Sequence, residues 1–183
     1  HELLAEGTQY ASKQDWRRAA RAYREVIALR PDVAVAYYNL GAALANSAHH
    51  VEAAQRLLEA KERCPVGSAG WAGATARGFC VLTQEECAEV AKPEWWSDEG
   101  LKALSARVVW AAPNDAAANS MRAYVLSGHV GAWEASRPRS AAEHDEAAAH
   151  FDRAAALCDA PALKAYHTSN AAVIRSALMA KAV

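Results

Sequence analysis

One spacing, 34 residues, relates two stretches at the start of this chain. Small, large and proline positions of the first stretch recur in the second at that offset, so that Gly7, Tyr10, Ala19, Tyr23 and Pro31 correspond to Gly41, Leu44, Ala53, Leu57 and Pro65. Within each stretch, apolar residues recur every three or four positions, which is the period of an amphipathic helix. A repeat of this length, built from paired helices, predicts stacked helical hairpins.

The small residues have a predicted steric role. Gly7 and Ala19 would let the two helices of the first repeat cross closely, with Tyr10 and Tyr23 filling the space beside them. Because proline cannot continue a helix, Pro31 is expected to set the turn into the next repeat. By the same reasoning, a larger side chain at position 41 would overpack the helix crossing of the second repeat.

Two consecutive units that fill these positions in phase resemble the tetratricopeptide repeat (TPR) family. The resemblance implies an all-α, TPR-type helical-hairpin solenoid, with two regular units at residues 1–65. Residues 66–183 are expected to form divergent TPR-like hairpins and a capping helix. The alanine-rich second half also resembles TPR-like proteins predicted in algal genomes, which implies no particular biochemistry.

The repeat pattern weakens after Pro65. Trp71 keeps the phase of a third repeat, and Thr83 followed by Glu86 predicts a capping box that opens a short helix. Insertions near 92–98 and 127–140 interrupt the helical pattern, and the second is expected to be a glycine-containing loop. Between them, the pattern predicts a helix over 99–111, capped by the residue at 97 or 98, and a second helix over 115–126. A last helix begins at Pro161.

The composition excludes several classes of protein. Alanine makes up roughly a quarter of the chain, which favours helix, and a net charge of −1 with dispersed Lys and Arg argues against nucleic-acid binding. No stretch is apolar and long enough to span a bilayer. Four cysteines without a CxxC pattern suit a reducing intracellular compartment, either the cytosol or an organelle such as a plastid. Because the chain opens at His1, inside a predicted helix, we expect upstream sequence, and a cleaved targeting segment stays open.

Residues that could support catalysis or metal binding do not converge in the sequence. His49 and His50 are adjacent and would point about 100° apart on a helix, and Glu146 with His150 has the spacing of a solvated helix-face pair. No motif of a known enzyme class is present. We therefore expect no enzyme activity, no cofactor and no metal site.

The TPR resemblance implies a concave groove supplied by the first helix of each repeat. The residues expected to line it are Leu4, Thr8, Ser12, Tyr38, Asn39, Ala42, Asn46 and Ala72. Only Asn39 matches the residues with which some family members hold a chaperone carboxyl terminus, since Leu4, Ala69 and Gly73 replace the Lys and Arg positions. Such a clamp is not expected. The predicted groove is neutral and suits a helix or an apolar segment, either of a partner or of the chain itself.

The two insertions contain candidate contact residues, namely Trp95, Trp96, Trp133, Arg137 and Arg139. Trp and Arg are common interface anchors, although each indole could instead fold back onto the irregular repeats.

Two functions remain open from the sequence. The first is a non-enzymatic adaptor or scaffold that binds a protein segment by this groove and these loops. The second is a structural accessory or linker subunit of a larger assembly, for which organellar or photosynthetic-membrane complexes are examples. In either case the partner is a protein, and docking on a membrane-protein complex is compatible with both.

Overall fold

The computed structural model describes residues 2–181, so the predicted ends at His1 and Val183 lie outside the described residues. The chain forms two compact units that divide between Ala91 and Lys92. The boundary predicted at residue 65 divides regular from divergent repeats, and it stays a prediction. The helix that follows Pro65 packs against the helix before it and belongs to the first unit.

The first unit consists of five α-helices packed in chain order. Their bounds are α1 Glu2–Ser12, α2 Trp16–Leu29, α3 Ala34–Asn46, α4 His50–Arg63 and α5 Ala69–Leu82. We call α1, α3 and α5 the A helices, and α2 and α4 the B helices. The A helices lie side by side, since α3 contacts both α1 and α5. A 3₁₀ turn at Glu85–Cys87 follows α5.

The 34-residue repeat is reproduced in the backbone of the turns. Gln14 and Ala48, one repeat apart, both have positive φ, at 60° and 61°. In each case the amide of the following residue donates a hydrogen bond to a carbonyl near the end of the A helix. Asp15 donates to Tyr10 at 3.0 Å, and His49 donates to Leu44 at 2.9 Å. The predicted register of the two repeats is therefore confirmed.

The glycines of α1 and α3 lie where a side chain would collide with the paired B helix. A Cβ at Gly7 would lie 2.5 Å from Cε1 of Tyr23, and one at Gly41 would lie 2.7 Å from Cγ of Leu57. Tyr23 and Leu57 are both fully or nearly fully buried. The helices can cross this closely only because both positions lack a side chain.

The third repeat begins as predicted and then departs from the pattern. Trp71, at the expected phase, is buried. The hydroxyl of Ser68 caps α5 by accepting a hydrogen bond from the backbone amide of Trp71 at 3.2 Å. Thr83 does not open a helix, which corrects the predicted capping box. Its hydroxyl donates to the carbonyl of Cys80 at 2.7 Å and so terminates α5. Within the described part of the first unit, α5 has no B helix after it.

The second unit contains four helices, α6 Asp98–Ala111, α7 Ala116–Ser127, α8 Ala141–Leu157 and α9 Pro161–Lys181. Each packs against its neighbour in the chain. Side-chain oxygens of Ser97, Asp115 and Ser140 cap the first three of them, and Ser140 with Glu143 completes a capping box. The predicted helices around 99–111 and 115–126 are thus confirmed within one residue at their ends.

The segment between α7 and α8 is more ordered than the predicted loop. Gly128, with φ of 83°, ends α7, and two short antiparallel strands follow, β1 His129–Val130 and β2 Trp133–Glu134. Val130 faces Trp133 in this pair. A sequence pattern of two residues per strand is too short to predict such a pairing.

Helix α9 covers the end of the second unit, as expected of a capping helix. His167 and Ala171 are buried, and Ile174 packs against a cluster formed with Ala123 and Phe151. Other side chains of α9 are exposed, among them Tyr166 and Val173. The all-α fold with helical hairpins is therefore confirmed, and in the described residues the only strands are β1 and β2.

Candidate protein-interaction surfaces

The A helices place most of the predicted groove residues on one side of the first unit, which we call the A face. Thr8, Ser12 and Asn46 are exposed there, and four others are half-buried, namely Leu4, Tyr38, Asn39 and Ala42. Ala72 is a correction, because its side chain is fully buried. It cannot line a groove, since α5 packs at this point against both α4 and α3.

The polar residues of the A face differ in whether they are already hydrogen-bonded. Thr8, Ser12 and Asn46 each donate to a carbonyl of their own helix, at 2.9 to 3.0 Å. Tyr38 and Asn39 make no such bond with any residue that the structure describes. Their hydroxyl and amide groups therefore keep all of their hydrogen-bonding capacity for a ligand, whereas the other three side chains have used one donor each.

The structure adds a cation that the sequence reasoning missed. The guanidinium of Arg77 on α5 lies over the ring of Tyr38, with 5.5 Å between the guanidinium carbon and the ring centroid. Arg77 was not among the residues expected to line the groove, of which α5 supplied only Ala72. The available signal was that Arg77 is the one charged residue of α5.

Charge is distributed unevenly between the two kinds of helix in the first unit. α3 has no charged residue, whereas α2 has five and α4 has six, counting Asp, Glu, Lys and Arg. The charges of the B helices pair with one another. Arg24 contacts Glu52 at 3.0 Å, and Arg56 contacts Glu59 at 2.9 Å. The B helices therefore present a hydrated, ion-paired surface. Among the A helices, α3 carries no charge and α5 carries only Arg77, whereas α1 carries Glu2 and Glu6.

The predicted contact loops of the second unit are mostly occupied in packing. Trp133 is only 8% exposed, so its indole lies inside the unit and is not a free anchor. Trp95 and Trp96 are half-buried, and their ring centroids are 5.7 Å apart. Arg137 is exposed and pairs with Glu99.

Arg139 belongs to a buried ion pair and is likewise not a free contact residue. Its side chain is 2% exposed and lies 3.4 Å from the carboxylate of Asp98, which is 9% exposed. Ser136 donates to the same carboxylate through its amide at 3.0 Å and its hydroxyl at 2.6 Å. Burial opposes ionisation, but these hydrogen bonds and the Arg139 charge lower the pKa of Asp98 below its ordinary value. The cluster holds the 127–140 segment against the start of α6.

Several large apolar residues of the second unit are exposed. Trp110, at the end of α6, is 82% exposed, which sequence reasoning missed. Its position could have been found, because it falls outside the buried stripe of Leu101, Leu104 and Val108. On α9, Tyr166 and Val173 border a groove of about 340 Å³ that also reaches α7, α8 and β1.

The histidines and cysteines are placed in packed, non-convergent surroundings. His150 contacts the side-chain oxygen of Asn119 at 2.9 Å and lies 3.7 Å from Glu146, and burial lowers its pKa. Cys80 is a free thiol whose pKa is raised by burial to about 11. Between residues 2 and 181, no group of three or more His, Cys, Asp or Glu side chains could hold a metal ion.

The fold and the A face define a class of protein, a helical-hairpin repeat protein whose A helices α3 and α5 together carry one charged residue. Residues 7–47 match the family model described as TPR repeat. This match lies within the first unit and supports the resemblance of its repeats to tetratricopeptide repeats. The resemblance of the second half to algal TPR-like proteins lies outside this match and stays a prediction.

The chain matches no curated protein. None of the helices formed by residues 2–181 has both the length and the apolar character that crossing a membrane requires. TPR repeats typically hold other polypeptides and are typically non-enzymatic, so the family match supports a role in protein–protein interaction.

Proposed function

We propose that the protein is a non-enzymatic adaptor or scaffold that binds a segment of a partner protein along the A face of its first unit. The TPR match supports interaction with a polypeptide, and the chemistry of the A face supports its location. The observation that carries the proposal is that the two unbonded polar side chains, Tyr38 and Asn39, lie on α3, a helix without Asp, Glu, Lys or Arg.

The A face favours a segment of low charge. Its exposed or half-buried side chains include Val35, which is 47% exposed, and the small residues Ala42, Ala69 and Gly73. Small side chains allow a partner backbone to come close, while the phenol and amide supply hydrogen bonds to it. The B helices are less suitable, because their charged side chains would have to give up both water and existing ion pairs.

The test is a quantitative pull-down from the source cell with the full chain as bait. The combined variant Tyr38→Phe, Asn39→Ala removes both unbonded polar groups and leaves the tyrosine ring in place. We expect it to bind the partner about thirtyfold more weakly than wild type, since two lost hydrogen bonds of about 1 kcal/mol each remove about 2 kcal/mol.

The control is Gln55→Ala, which removes an exposed amide from the B helix α4. It should bind as wild type does, and both variants should keep the wild-type circular dichroism and melting temperature. Equal binding by the A-face variant and by wild type would refute the proposed location.

A second candidate is a structural accessory or linker subunit that is built permanently into a larger assembly. The specific observation in its favour is the exposed apolar surface of the second unit, where Trp110 is 82% exposed, Met179 71% and Val173 64%. Tryptophan is a frequent anchor of protein interfaces. Docking on a membrane-protein complex is compatible with this candidate, as it is with the first.

The two candidates differ in the effect of Trp110→Ser. A permanent subunit should elute from the native extract in one complex of fixed stoichiometry, and this substitution should release it. An adaptor should be found largely free, and should be unaffected by the substitution but released from its partner by the A-face variant.

We also propose that the protein works in a reducing intracellular compartment. All four cysteines are free thiols, and burial raises the pKa of Cys64, Cys80 and Cys158, which keeps them in the unreactive protonated form. Labelling with a thiol reagent in freshly lysed, unfolded cell extract should modify all four. A protein isolated with disulfides would contradict the proposed compartment.

A further inference from the structure

Arg77 is an isolated positive charge on an otherwise neutral part of the A face. Residues 34–46 of α3 contain no Asp, Glu, Lys or Arg, and residues 69–82 of α5 contain Arg77 alone. The side chain of Arg77 is exposed. Arg77 therefore lies among small and apolar residues, whereas the charged residues of the first unit are concentrated on the B helices.

The arginines of the B helices are mostly paired, and Arg77 is not. Arg21 contacts Glu25 at 3.1 Å, Arg24 contacts Glu52 at 3.0 Å, and Arg56 contacts Glu59 at 2.9 Å. No carboxylate lies within 4.0 Å of the guanidinium of Arg77 anywhere in residues 2–181. The guanidinium lies instead over the ring of Tyr38. The ring restrains the guanidinium and leaves its hydrogen-bond donors unused.

A further donor is present beside Arg77. Gly73 adds no side chain at this place, and a Cβ there would lie at ordinary van der Waals distances, 3.8 Å from Cε2 of Tyr38 and 3.9 Å from its hydroxyl. The hydroxyl of Tyr38 has no hydrogen-bond partner in the described part of the chain. The guanidinium and the phenol therefore offer neighbouring donors on the surface formed by α3 and α5.

We propose that Arg77 and Tyr38 bind the carboxylate of one Asp or Glu side chain in the partner segment. The inference rests on the proposed function and specifies which segment the A face selects. A carboxylate fits the fork of a guanidinium, and its charge complements the one cation of α3 and α5. Because the surrounding residues are apolar or small, the acidic residue is flanked by small or apolar residues in the segment.

The number of cations on the A face distinguishes a segment with one acidic residue from other anionic partners. A nucleic acid or a run of acidic residues would need several cations in a row, because each phosphate or carboxylate must be neutralised. α3 and α5 together offer one. The structure thus assigns a single acidic residue, not an acidic tract, to this position.

The experiment is selection of random 12-residue peptides, displayed on phage, with the full-length chain as the target. Attachment to the coat protein occupies the carboxyl terminus of each peptide, so a carboxylate can come only from a side chain. We expect the selected peptides to share one Asp or Glu at a fixed position among apolar and small residues. Arg77→Gln should select peptides without that acidic residue.

A matched control is Arg17→Gln, which removes an exposed arginine from the B helix α2. It should select the same peptides as wild type. For a synthetic peptide from the selection, with an amidated carboxyl terminus, Glu→Gln or Asp→Asn should weaken binding about tenfold, as expected for a hydrogen bond to a charged group. The same peptide change should have no effect on binding to Arg77→Gln.

The outcomes separate the two proposals. Peptides that bind wild type but lack a shared acidic residue, or that keep it when selected on Arg77→Gln, overturn this inference and leave the proposed A face standing. Peptides that bind wild type and the variant Tyr38→Phe, Asn39→Ala equally well overturn the proposed function. Failure to select any peptide counts against both.

Discussion

The close crossing of α3 and α4 gives the sharpest test of the repeat register. In Gly41→Ala, the new Cβ would lie 2.7 Å from Cγ of Leu57, 3.1 Å from its Cδ2 and 3.2 Å from the carbonyl oxygen of Ala53. Leu57 is fully buried and has no free space to enter. The helix backbones must therefore separate, and overpacking of this kind costs about 1–3 kcal/mol.

Gly73→Ala is the matched control, because it makes the same substitution in the next A helix without a collision. Its nearest contact would be Tyr38 at 3.8 Å, an ordinary van der Waals distance. Alanine favours helix over glycine by about 1 kcal/mol, so this variant should be more stable than wild type. For Gly41→Ala the same gain is outweighed by the overpacking, and we expect a net loss of about 1 kcal/mol.

The assay is urea unfolding of the full chain, followed by hydrogen exchange of peptides from α3 and α4. With a urea dependence of about 2 kcal/mol per molar, the midpoints of the two variants should differ by about 1 M. Gly41→Leu should lose more stability than Gly41→Ala. In a Leu57→Ala background, Gly41→Ala should cost much less than in wild type. A Gly41→Ala protein as stable as Gly73→Ala would refute the register and the crossing derived from it.

Two other predictions concern the second unit. Asp98→Asn should lower the free energy of unfolding of this unit by about 3–5 kcal/mol, because it leaves Arg139 as a buried, unpaired charge. The control Glu99→Gln breaks an exposed ion pair and should change that free energy by less than about 1 kcal/mol. Urea unfolding measures both variants, and equal effects would contradict the account. Burial lowers the pKa of His167 below its ordinary 6.5, so the unfolded chain takes up a proton first and stability falls as pH drops below about 6.5 towards the folded pKa. His167→Gln should reduce this pH dependence of the melting temperature, and an unchanged dependence would contradict it.

The regular part of the fold was predictable because it rests on local steric rules that recur in phase. Glycine at the helix crossing and proline after the B helix appear twice at one offset, and the turn residues Gln14 and Ala48 repeat the same backbone geometry. The helix cap Ser97 was predictable for a similar reason, since capping needs only a few neighbouring residues.

The incorrect predictions concern residues whose surroundings are set by tertiary packing. Ala72 was placed in the groove by phase alone, but α5 packs against two helices and buries it. Thr83 has the spacing of a capping box, yet its hydroxyl bonds backwards into α5. The buried position of Trp133 depends on its pairing with Val130, and two-residue strands leave no periodicity in the sequence.

For the candidate site, the sequence could predict the helix face but not the hydrogen bonding or the position of the charge. Tyr38 and Asn39 lie on the expected face, but the sequence could not show that Thr8, Ser12 and Asn46 are already bonded to their own helices. Arg77 was missed because the contact with Tyr38 joins two different repeats. An exposed cation becomes informative only once its lack of a carboxylate partner among the described residues is known.

Site-specific photo-crosslinking tests the central claim most directly. A photoreactive amino acid is placed at Asn39 on the A face, and separately at Arg21 on the B helix α2, where the side chain is 82% exposed. After irradiation in the source cell, mass spectrometry identifies the crosslinked peptides. Our account predicts crosslinks from position 39 to a defined partner segment that contains one acidic residue, and none to that segment from position 21. Crosslinks to the same partner from position 21 and not from position 39 would contradict it.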